Sequence, residues 1–255
     1  MSLLEINNIS HLYLSKAEAS VALENISLKV EQGEFISFLG PSGCGKTTLL
    51  SIIAGLLIPT EGQVVISGKD VMQKRQDIGY MLQQDYLFPW KTIKENILIG
   101  LKLLNQLDNE QENRSIALLE QMGLVNVLEK FPRELSGGMR QRVALVRTLA
   151  TNPSLLLLDE PFSALDLQTK LKLEDLVSNT LKSFNKTAIL VTHDIAEAVS
   201  MSDRVILLSP KPGKIHKEFY IPDELRQMPP FEARNLASYQ DVFQLIWKEM
   251  ESLEG

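Results

Sequence analysis

Eight residues, 40–47, constrain the fold of this 255-residue chain more than any other segment. They read GPSGCGKT and follow EFISFLG, an almost continuously apolar run that predicts a buried strand. The next segment, TTLLSIIAGLL, has the length and leucine content of a buried helix. The order strand, glycine loop, helix is typical of a phosphate-binding loop, because glycines let backbone N–H groups point inward and the helix start carries partial positive charge.

The residues of this loop and of the first helical turn have distinct expected roles in binding a nucleotide. Lys46 would reach the β and γ phosphates, and the hydroxyl of Thr47 is the natural ligand for Mg²⁺. The alternative is a chance glycine turn with an exposed lysine, which the flanking strand and helix disfavour. Cys44, the single cysteine, is interpreted as a small residue tolerated in the loop. The predicted phosphate-binding residues are Gly40, Pro41, Ser42, Gly43, Cys44, Gly45, Lys46, Thr47 and Thr48.

Two further apolar runs end in polar residues that suit phosphate chemistry. Asp159 and Glu160 follow the run LLLL, and His193 follows TAILVT. Because ligands of parallel sheets bind at the carboxyl ends of the strands, we expect all three side chains to lie near the phosphate loop. Asp159 would hold Mg²⁺ through water, Glu160 would orient or deprotonate the attacking water, and His193 would sense the γ phosphate. The alternatives are two solvated acids and a structural histidine.

The stretch LSGGMRQRVALVRTLA predicts a second helix whose start can bind an anion. Ser136 is a good N-cap, and Gly137 and Gly138 expose backbone amides. One nucleotide needs a single phosphate-binding loop. The second helix start therefore suggests binding to a nucleotide that a partner chain holds. The alternative is an ordinary capped helix.

Composition narrows the kind of partner. The net charge of −6 and pI near 5.3 argue against broad electrostatic capture of nucleic acid or anionic lipid. With a single cysteine, no intrachain disulfide and no cysteine-built zinc or iron–sulfur site can form. The first ten residues lack a secretory signal pattern, and the apolar runs are shorter than the ~20 residues that span a bilayer. Any membrane role is therefore expected to come from a partner.

The alternation of strands and helices predicts an α/β fold with a mainly parallel sheet, helices on both faces and an N-terminal antiparallel β part. Helical spacing without a convincing strand between about residues 92 and 149 predicts an inserted helical subdomain. We therefore divide the chain into a P-loop NTPase core (residues 1–83 and 153–215), a helical subdomain (84–152) and a C-terminal tail (216–255). The tail is predicted to end in a short helix, FQLIWKEM.

Together these motifs resemble the ATP-binding subunit of an ATP-binding-cassette (ABC) transporter. GPSGCGKTT resembles the Walker A motif, LLLLDE the Walker B motif and LSGGMRQ the family signature. SALD, at residues 163–166 and ending in Asp166, resembles the D-loop, and His193 the H-loop histidine. Gln83 matches the Q-loop glutamine, which the resemblance implies touches Mg²⁺ and responds to the membrane subunit. Tyr13 is the residue predicted to stack on adenine.

The resemblance implies a head-to-tail homodimer with two sandwiched ATP molecules. Ser136 and Gly138 of one chain would close on ATP held by Lys46 of the other. Two transmembrane permease subunits would dock near Gln83, Phe88 and Trp90, with an extracytoplasmic substrate-binding protein outside the cell membrane. The alternative for Trp90 is a packing anchor within the chain. This arrangement would hold the chain peripherally at the cytoplasmic face.

Within the family, LFPWKTIKENI and LSPKPGKI resemble the nitrate, sulfonate and taurine importer group. The expected function is therefore that of an ATP-hydrolysing motor for uptake of a small anion. The alternatives are an exporter, an iron–sulfur assembly ATPase, or an ABC protein acting on DNA or ribosomes. The short spacing between Lys46 and Ser136 and the negative charge weigh against the last class, so no nucleic acid partner is expected.

Overall fold

A computed structural model of the protein describes residues 2–14, 19–163 and 165–254. The strands are β1 (Ser2–Leu14), β2 (Ala19–Glu31), β3 (Phe35–Leu39), β4 (Glu61–Ile66), β5 (Lys69–Asp70), β6 (Ile78–Met81), β7 (Leu155–Asp159), β8 (Thr187–Val191), β9 (Arg204–Leu208) and β10 (Ile215–Tyr220). The helices are α1 (Lys46–Ile53), α2 (Ile93–Leu103), α3 (Asn109–Gln121), α4 (Gly137–Ala150), α5 (Leu167–Ser183), α6 (Ile195–Met201), α7 (Asp223–Arg226), α8 (Pro230–Ala233) and α9 (Ala237–Glu254).

The larger sheet is mainly parallel and has the strand order β10-β9-β3-β8-β7-β6. Strands β6, β7, β8, β3 and β9 are paired in parallel, and β10 pairs antiparallel with β9. Every residue of β3, β7, β8 and β9 is buried, as expected for strands covered on both faces. The α/β prediction is confirmed, and the carboxyl ends of β3, β7 and β8 meet at one edge.

Successive residues of the central strands face two different hydrophobic cores. In β7, Leu155 and Leu157 pack with α1 and the smaller sheet, whereas Leu156 and Leu158 pack with α2 to α5. This alternation follows from the two-residue repeat of a strand. Helices therefore cover both faces of the sheet, as predicted.

The smaller sheet is antiparallel, with the order β2-β1-β4-β5. Its apolar side chains, among them Leu4, Ile6 and Ile26, lie in the same core as Leu49 and Ile53 of α1. The predicted N-terminal antiparallel part is therefore confirmed. Because it packs on α1, this sheet holds the helix that begins at the glycine loop.

Helices α2, α3 and α4 follow β6 and precede β7 in the sequence. A capping box starts α2: the Thr92 hydroxyl accepts from the Glu95 N–H, and the Glu95 carboxylate accepts from the Thr92 N–H. The helices share a core that includes Ile97, Leu118 and Val146 and continues into the main sheet. This packing brings the start of α4 to the edge of the molecule near residues 83–86.

The C-terminal segment differs from the sequence-based expectation in two respects. β10 extends the main sheet to Tyr220, whereas the predicted core ends at residue 215 and the predicted tail begins at residue 216. The strand is mostly exposed and buries only Phe219 among its six residues, so it carries no hydrophobic pattern that predicts it. The predicted short helix is part of the longer α9, which packs on α6. Within the described residues, no helix is both long and apolar enough to span a membrane.

Candidate active site

The glycine loop lies between β3 and α1, at the carboxyl edge of the main sheet. Gly43 and Gly45 have φ angles of 75° and 99°, in the left-handed region that favours glycine. A Cβ at Gly45 would also lie 2.7 Å from Leu23 Cδ2 and 3.0 Å from the Ala22 carbonyl oxygen. Residues 22–23 therefore pack directly against Gly45, and only glycine fits at this position.

Lys46 begins α1, and only 7% of the residue is exposed. Its Nζ donates to the carbonyl oxygens of Gly40 (2.7 Å) and Pro41 (3.0 Å), so the ammonium group lies inside the loop. Burial raises the pKa of the Cys44 thiol, while the neighbouring Lys46 charge acts in the opposite direction. A buried thiol with a raised pKa is a poor nucleophile, which agrees with the interpretation of Cys44 as a small loop residue.

Thr47 and Asp159 face each other across the edge of the sheet. The Thr47 hydroxyl lies 3.5 Å from Asp159 Oδ1, and the Tyr80 hydroxyl donates to Asp159 Oδ2 at 3.4 Å. Burial raises the pKa of Asp159, although the hydrogen bond from Tyr80 opposes this. Burial and the Asp159 charge raise the pKa of Tyr80 to about 12, so the phenol stays protonated. Sequence reasoning missed Tyr80, whose role depends on the pairing of β6 with β7.

Glu160, Gln83 and His193 converge at the same edge. Glu160 Oε1 lies 3.2 Å from His193 Nδ1, and its Oε2 accepts from Gln83 Nε2 at 3.1 Å. Gln83 also donates to the Ser163 hydroxyl at 3.2 Å. Glu160 has a φ of 46°, which is unusual for a residue with a side chain, and its N–H donates to the Val191 carbonyl. The constrained backbone and the two side-chain contacts, with Gln83 and His193, hold the carboxylate in place.

A cleft of about 310 Å³ lies between the glycine loop and Glu160. Tyr13 stands at its rim, 47% exposed, and its hydroxyl lies 3.2 Å from Thr48 Oγ1. The His11 ring packs edge-on against the Tyr13 ring, with centroids 4.7 Å apart. The cleft is lined by Tyr13, Ala22, Ser42, Gly43, Gly45, Lys46, Thr47, Thr48, Glu160 and Lys211, of which Ala22 and Lys211 were not predicted.

The predicted second anion site lies on another part of the surface. Ser136 caps α4, with its hydroxyl accepting from the Met139 N–H at 3.4 Å, and both Ser136 and Gly137 are exposed. Gly138 is buried, and a Cβ there would lie 2.6 Å from Thr169 Cγ2 of α5. The groove beside Gly137 shares no lining residue with the cleft at Lys46. Within one chain, therefore, the two helix starts do not form one site.

Helix α4 holds the segment that follows β6, a contact that sequence reasoning missed. Gln141 Nε2 donates to the Gln83 carbonyl at 3.0 Å, and Arg140 Nε donates to the Asp85 carboxylate at 2.9 Å. Arg147 donates to the carbonyl oxygens of Asp85 and Tyr86 at 2.7 and 2.8 Å. These residues lie on the polar face of α4, whose basic composition is the one sequence signal that pointed to them.

Asp166 caps α5, because its carboxylate accepts from the Thr169 N–H at 3.0 Å. This hydrogen bond lowers the pKa of Asp166. Asp166 is thus part of a helix cap and does not line the cleft at Lys46. Ala164, within the predicted D-loop at residues 163–166, lies outside the described residues.

A glycine loop between a parallel strand and a helix, with two carboxylates at the end of a second strand of the same sheet, defines the class of P-loop nucleoside triphosphatases. Residues 23–163 match the sequence family described as ABC transporter. The chain is 60% identical over 254 residues to the uncharacterized ABC transporter ATP-binding protein YtlC of Bacillus subtilis, covering 100% of this chain and 98% of the relative. It is 38% identical over 266 residues to the taurine import ATP-binding protein TauB of Roseobacter denitrificans, covering 100% and 98%.

Other relatives are named for nitrate import and for aliphatic sulfonate import. The structure also matches a dimeric post-hydrolysis state of the ATP-binding cassette MJ0796 bound to ADP and Pi, with a TM-score of 0.76 and 34% identity. That match covers 86% of this chain and 99% of MJ0796. The chain belongs to the ABC transporter family and is an ATP-binding, ATP-hydrolysing cassette.

Proposed function

We propose that this protein is the motor subunit of an importer that takes up a small anion of the nitrate, sulfonate and taurine class. Two observations support the transported class: the relatives named for import of these anions, and the segments LFPWKTIKENI and LSPKPGKI. The motor role depends above all on one observation, the Glu160 carboxylate fixed between Gln83 and His193 beside the glycine loop.

The proposed nucleotide site uses the loop amides and Lys46 for the phosphates and Tyr13 for adenine. The buried ammonium of Lys46 is already directed toward the loop interior, where phosphate oxygens would replace its carbonyl partners. The half-exposed ring of Tyr13 offers a flat apolar surface at the rim of the cleft. The contact with Thr48 keeps this ring beside the first turn of α1.

In the proposed reaction, Glu160 orients a water molecule and accepts its proton as the water oxygen attacks the γ phosphorus. The bond from the γ phosphorus to the bridging oxygen breaks, and ADP and phosphate leave. His193 Nδ1 lies 3.2 Å from the Glu160 carboxylate. The imidazole would therefore be close enough to the reacting groups to contact the γ phosphate. Correct placement of these groups supplies most of what this reaction requires.

The residues present fit Mg²⁺. Thr47, Asp159 and Gln83 offer hydroxyl, carboxylate and amide oxygens, the hard donors that Mg²⁺ prefers. Mg²⁺ keeps several waters and binds through few protein ligands plus substrate phosphates. When bound, Mg²⁺ would neutralise phosphate charge.

We further propose a head-to-tail homodimer in which Ser136, Gly137 and Gly138 of one chain close on ATP held by its partner, with Asp166 near that interface. The separation of the α4 start from the Lys46 cleft supports this arrangement, as does the dimeric state of MJ0796. A single chain would bind ATP but lack half of each hydrolytic site. We also propose that the chain divides into a P-loop NTPase core (residues 1–83 and 153–215), a helical subdomain (84–152) and a C-terminal segment (216–255), with β10 continuing the core sheet to Tyr220.

Two permease subunits and an extracytoplasmic binding protein complete the proposed transporter, with this chain at the cytoplasmic face of the membrane. Trp90 is 71% exposed, and its ring lies 5.5 Å from that of Phe88, a few residues after Gln83. An exposed tryptophan beside a half-buried phenylalanine is suited to a protein interface. Its exposure argues against the alternative of a packing anchor within the chain.

The test is ATP hydrolysis by the complete complex in lipid vesicles, with taurine, an alkylsulfonate or nitrate supplied with the binding protein. We expect one of these anions to stimulate hydrolysis, and Trp90→Ala to abolish the stimulation while leaving the basal rate unchanged. Tyr220→Ala, at an equally exposed aromatic far from residues 83–90 in sequence, serves as the matched control and should retain stimulation. A complex that exports its substrate, or that no anion of this class stimulates, would contradict the proposal.

A further inference from the structure

Four polar side chains, two of them buried and two partly buried, form a hydrogen-bonded group that includes both sequence neighbours of His193. Lys170 Nζ of α5 contacts Asp194 Oδ2 at 2.7 Å and Glu197 Oε1 at 2.5 Å. The Thr192 hydroxyl donates to Glu197 Oε2 at 2.5 Å. We call these four residues the α5–α6 charge cluster. Glu197 is 3% exposed, so its charge depends on these partners rather than on water.

The cluster holds both neighbours of His193 in the sequence. Thr192 is fixed through Glu197, and its hydroxyl also accepts from the Asp194 N–H at 3.0 Å. Asp194 binds Lys170 through one carboxylate oxygen and caps α6 through the other, which accepts from the Ala196 N–H at 2.7 Å. The backbone on each side of His193 is therefore anchored.

The His193 side chain has much less support of its own. It is 59% exposed, and its Nδ1 contact with Glu160 spans 3.2 Å. A side chain that is largely exposed and has one ion-pair contact takes much of its position from the backbone that carries it. Anchoring at residues 192 and 194 therefore determines where the imidazole can reach.

Lys170 also lies close to the start of α5. Its own N–H donates to the carbonyl oxygen of Asp166, the cap of that helix, at 2.9 Å. One turn of helix thus separates the proposed D-loop from the lysine that holds the His193 loop. A shift of either segment would be transmitted to the other through this short chain of hydrogen bonds.

We propose that Lys170 is a positioning residue for hydrolysis: through Asp194 and Glu197 it holds the His193 loop in place and ties that loop to the start of α5. This inference rests on the proposed role of His193 in hydrolysis. Burial alone would lower the pKa of Lys170, but its hydrogen bonds to Asp194 and Glu197 outweigh burial and raise it. The lysine therefore stays charged throughout the neutral range.

The test compares steady-state hydrolysis and nucleotide binding of the full-length chain carrying Lys170→Met. We expect kcat to fall on the order of 10- to 100-fold, because small misplacements of reacting groups cost this much. The affinity for ATP should not change, since Lys170 does not line the cleft at Lys46. Lys170→Arg should recover most of the rate, because arginine can pair with the same two carboxylates.

Two further variants separate positioning from folding. Arg234→Met breaks a similar buried ion pair, with Glu174 one turn further along α5, and should leave kcat unchanged. The double variant Lys170→Met, Glu197→Gln removes the uncompensated buried charge. It should regain the thermal stability of the wild-type protein while kcat stays low. If Lys170→Met lost no more activity than Arg234→Met, or if the double variant recovered kcat, the positioning role would be wrong.

His193→Ala keeps this inference distinct from the proposed function. An active His193→Ala protein would overturn the proposed role of His193 itself and, with it, the inference. If the His193→Ala protein were inactive and the Lys170→Met protein fully active, the role of Lys170 would be wrong, while the proposed role of His193 would stand.

Discussion

At the residue scale, the central feature is one carboxylate with a constrained backbone. Glu160 lies in the left-handed region of φ, and its side chain is held by Gln83 and His193. A residue rarely keeps such a conformation unless the surrounding structure imposes it. Its neighbour Asp159 faces Thr47 and Tyr80 instead. Two adjacent acids thus have different partners, which suits one to Mg²⁺ and the other to water.

We predict that Glu160→Gln reduces the rate of phosphate release at least about 10²-fold, the usual effect of losing a general base. The amide has nearly the same size, so ATP binding should be retained and the closed dimer should accumulate. Phosphate release and size-exclusion chromatography with ATP measure the two effects. Glu218→Gln, which weakens an ion pair with Arg204 away from the cleft, is the control and should hydrolyse normally. Equal turnover of the Glu160→Gln and wild-type proteins would exclude this role.

At the element scale, the C-terminal segment forms a buried ion pair with α5. Arg234, which follows α8, lies 2.6 Å from Glu174 of α5, and Glu174 is fully buried. Burial raises the pKa of Glu174 to about 7, although the Arg234 charge opposes the shift. The carboxyl group therefore binds a proton more tightly in the folded chain than in the unfolded chain. Its ionisation costs stability as pH rises.

We predict that the free energy of unfolding of the wild-type protein, relative to Glu174→Gln, falls as pH rises from about 4.5 to about 7. The fall should be on the order of 3 kcal/mol, since one pKa unit corresponds to about 1.4 kcal/mol. Urea unfolding at a series of pH values measures it. Glu249→Gln is the control. Hydrogen bonds from Lys217 and His216 lower the pKa of Glu249, so its contribution is present at neutral pH and is lost as pH falls. A parallel pH profile for wild type and Glu174→Gln would contradict the prediction.

The elements that position the site were largely predictable, because they bury every residue. The strands β3, β7 and β8 are mostly apolar and fully buried, and they end at the loop, the acids and the histidine. β10 was not predictable, since it is an exposed edge strand with one buried side chain. Tyr80 and Lys170 were missed for a related reason: their partners are distant in the sequence, and each residue alone is typical of an ordinary strand or helix.

At the scale of the whole molecule, the chain presents two separate functional surfaces. The cleft at Lys46 and the exposed start of α4 share no lining residue, and α4 is tied to residues 83–86 by Gln141 and Arg147. Movement of this segment would therefore be transmitted to the start of α4. A permease docked near Trp90 would then act on the surface that we propose closes over the partner's ATP.

We predict that Ser136→Arg abolishes hydrolysis without weakening ATP binding to the isolated chain, because Ser136 would act on the partner's nucleotide. Fluorescent-nucleotide titration and phosphate release measure the two effects. Val125→Arg introduces the same charge at an exposed position after α3 and should remain active. Reduced nucleotide affinity of the monomer would show instead that Ser136 acts on its own chain's site.

The separation of the two surfaces has a consequence for mixtures of damaged chains. A pair made of one Glu160→Gln chain and one Ser136→Arg chain would contain one undamaged site and one that carries both lesions. Random pairing makes about half of all dimers mixed, so two inactive preparations combined should regain about a quarter of normal turnover where the two sites work independently. Recovery of about a quarter of normal turnover would show that each dimer contains two ATP sites built from both chains. No recovery would mean that both ATP molecules must be hydrolysed in concert.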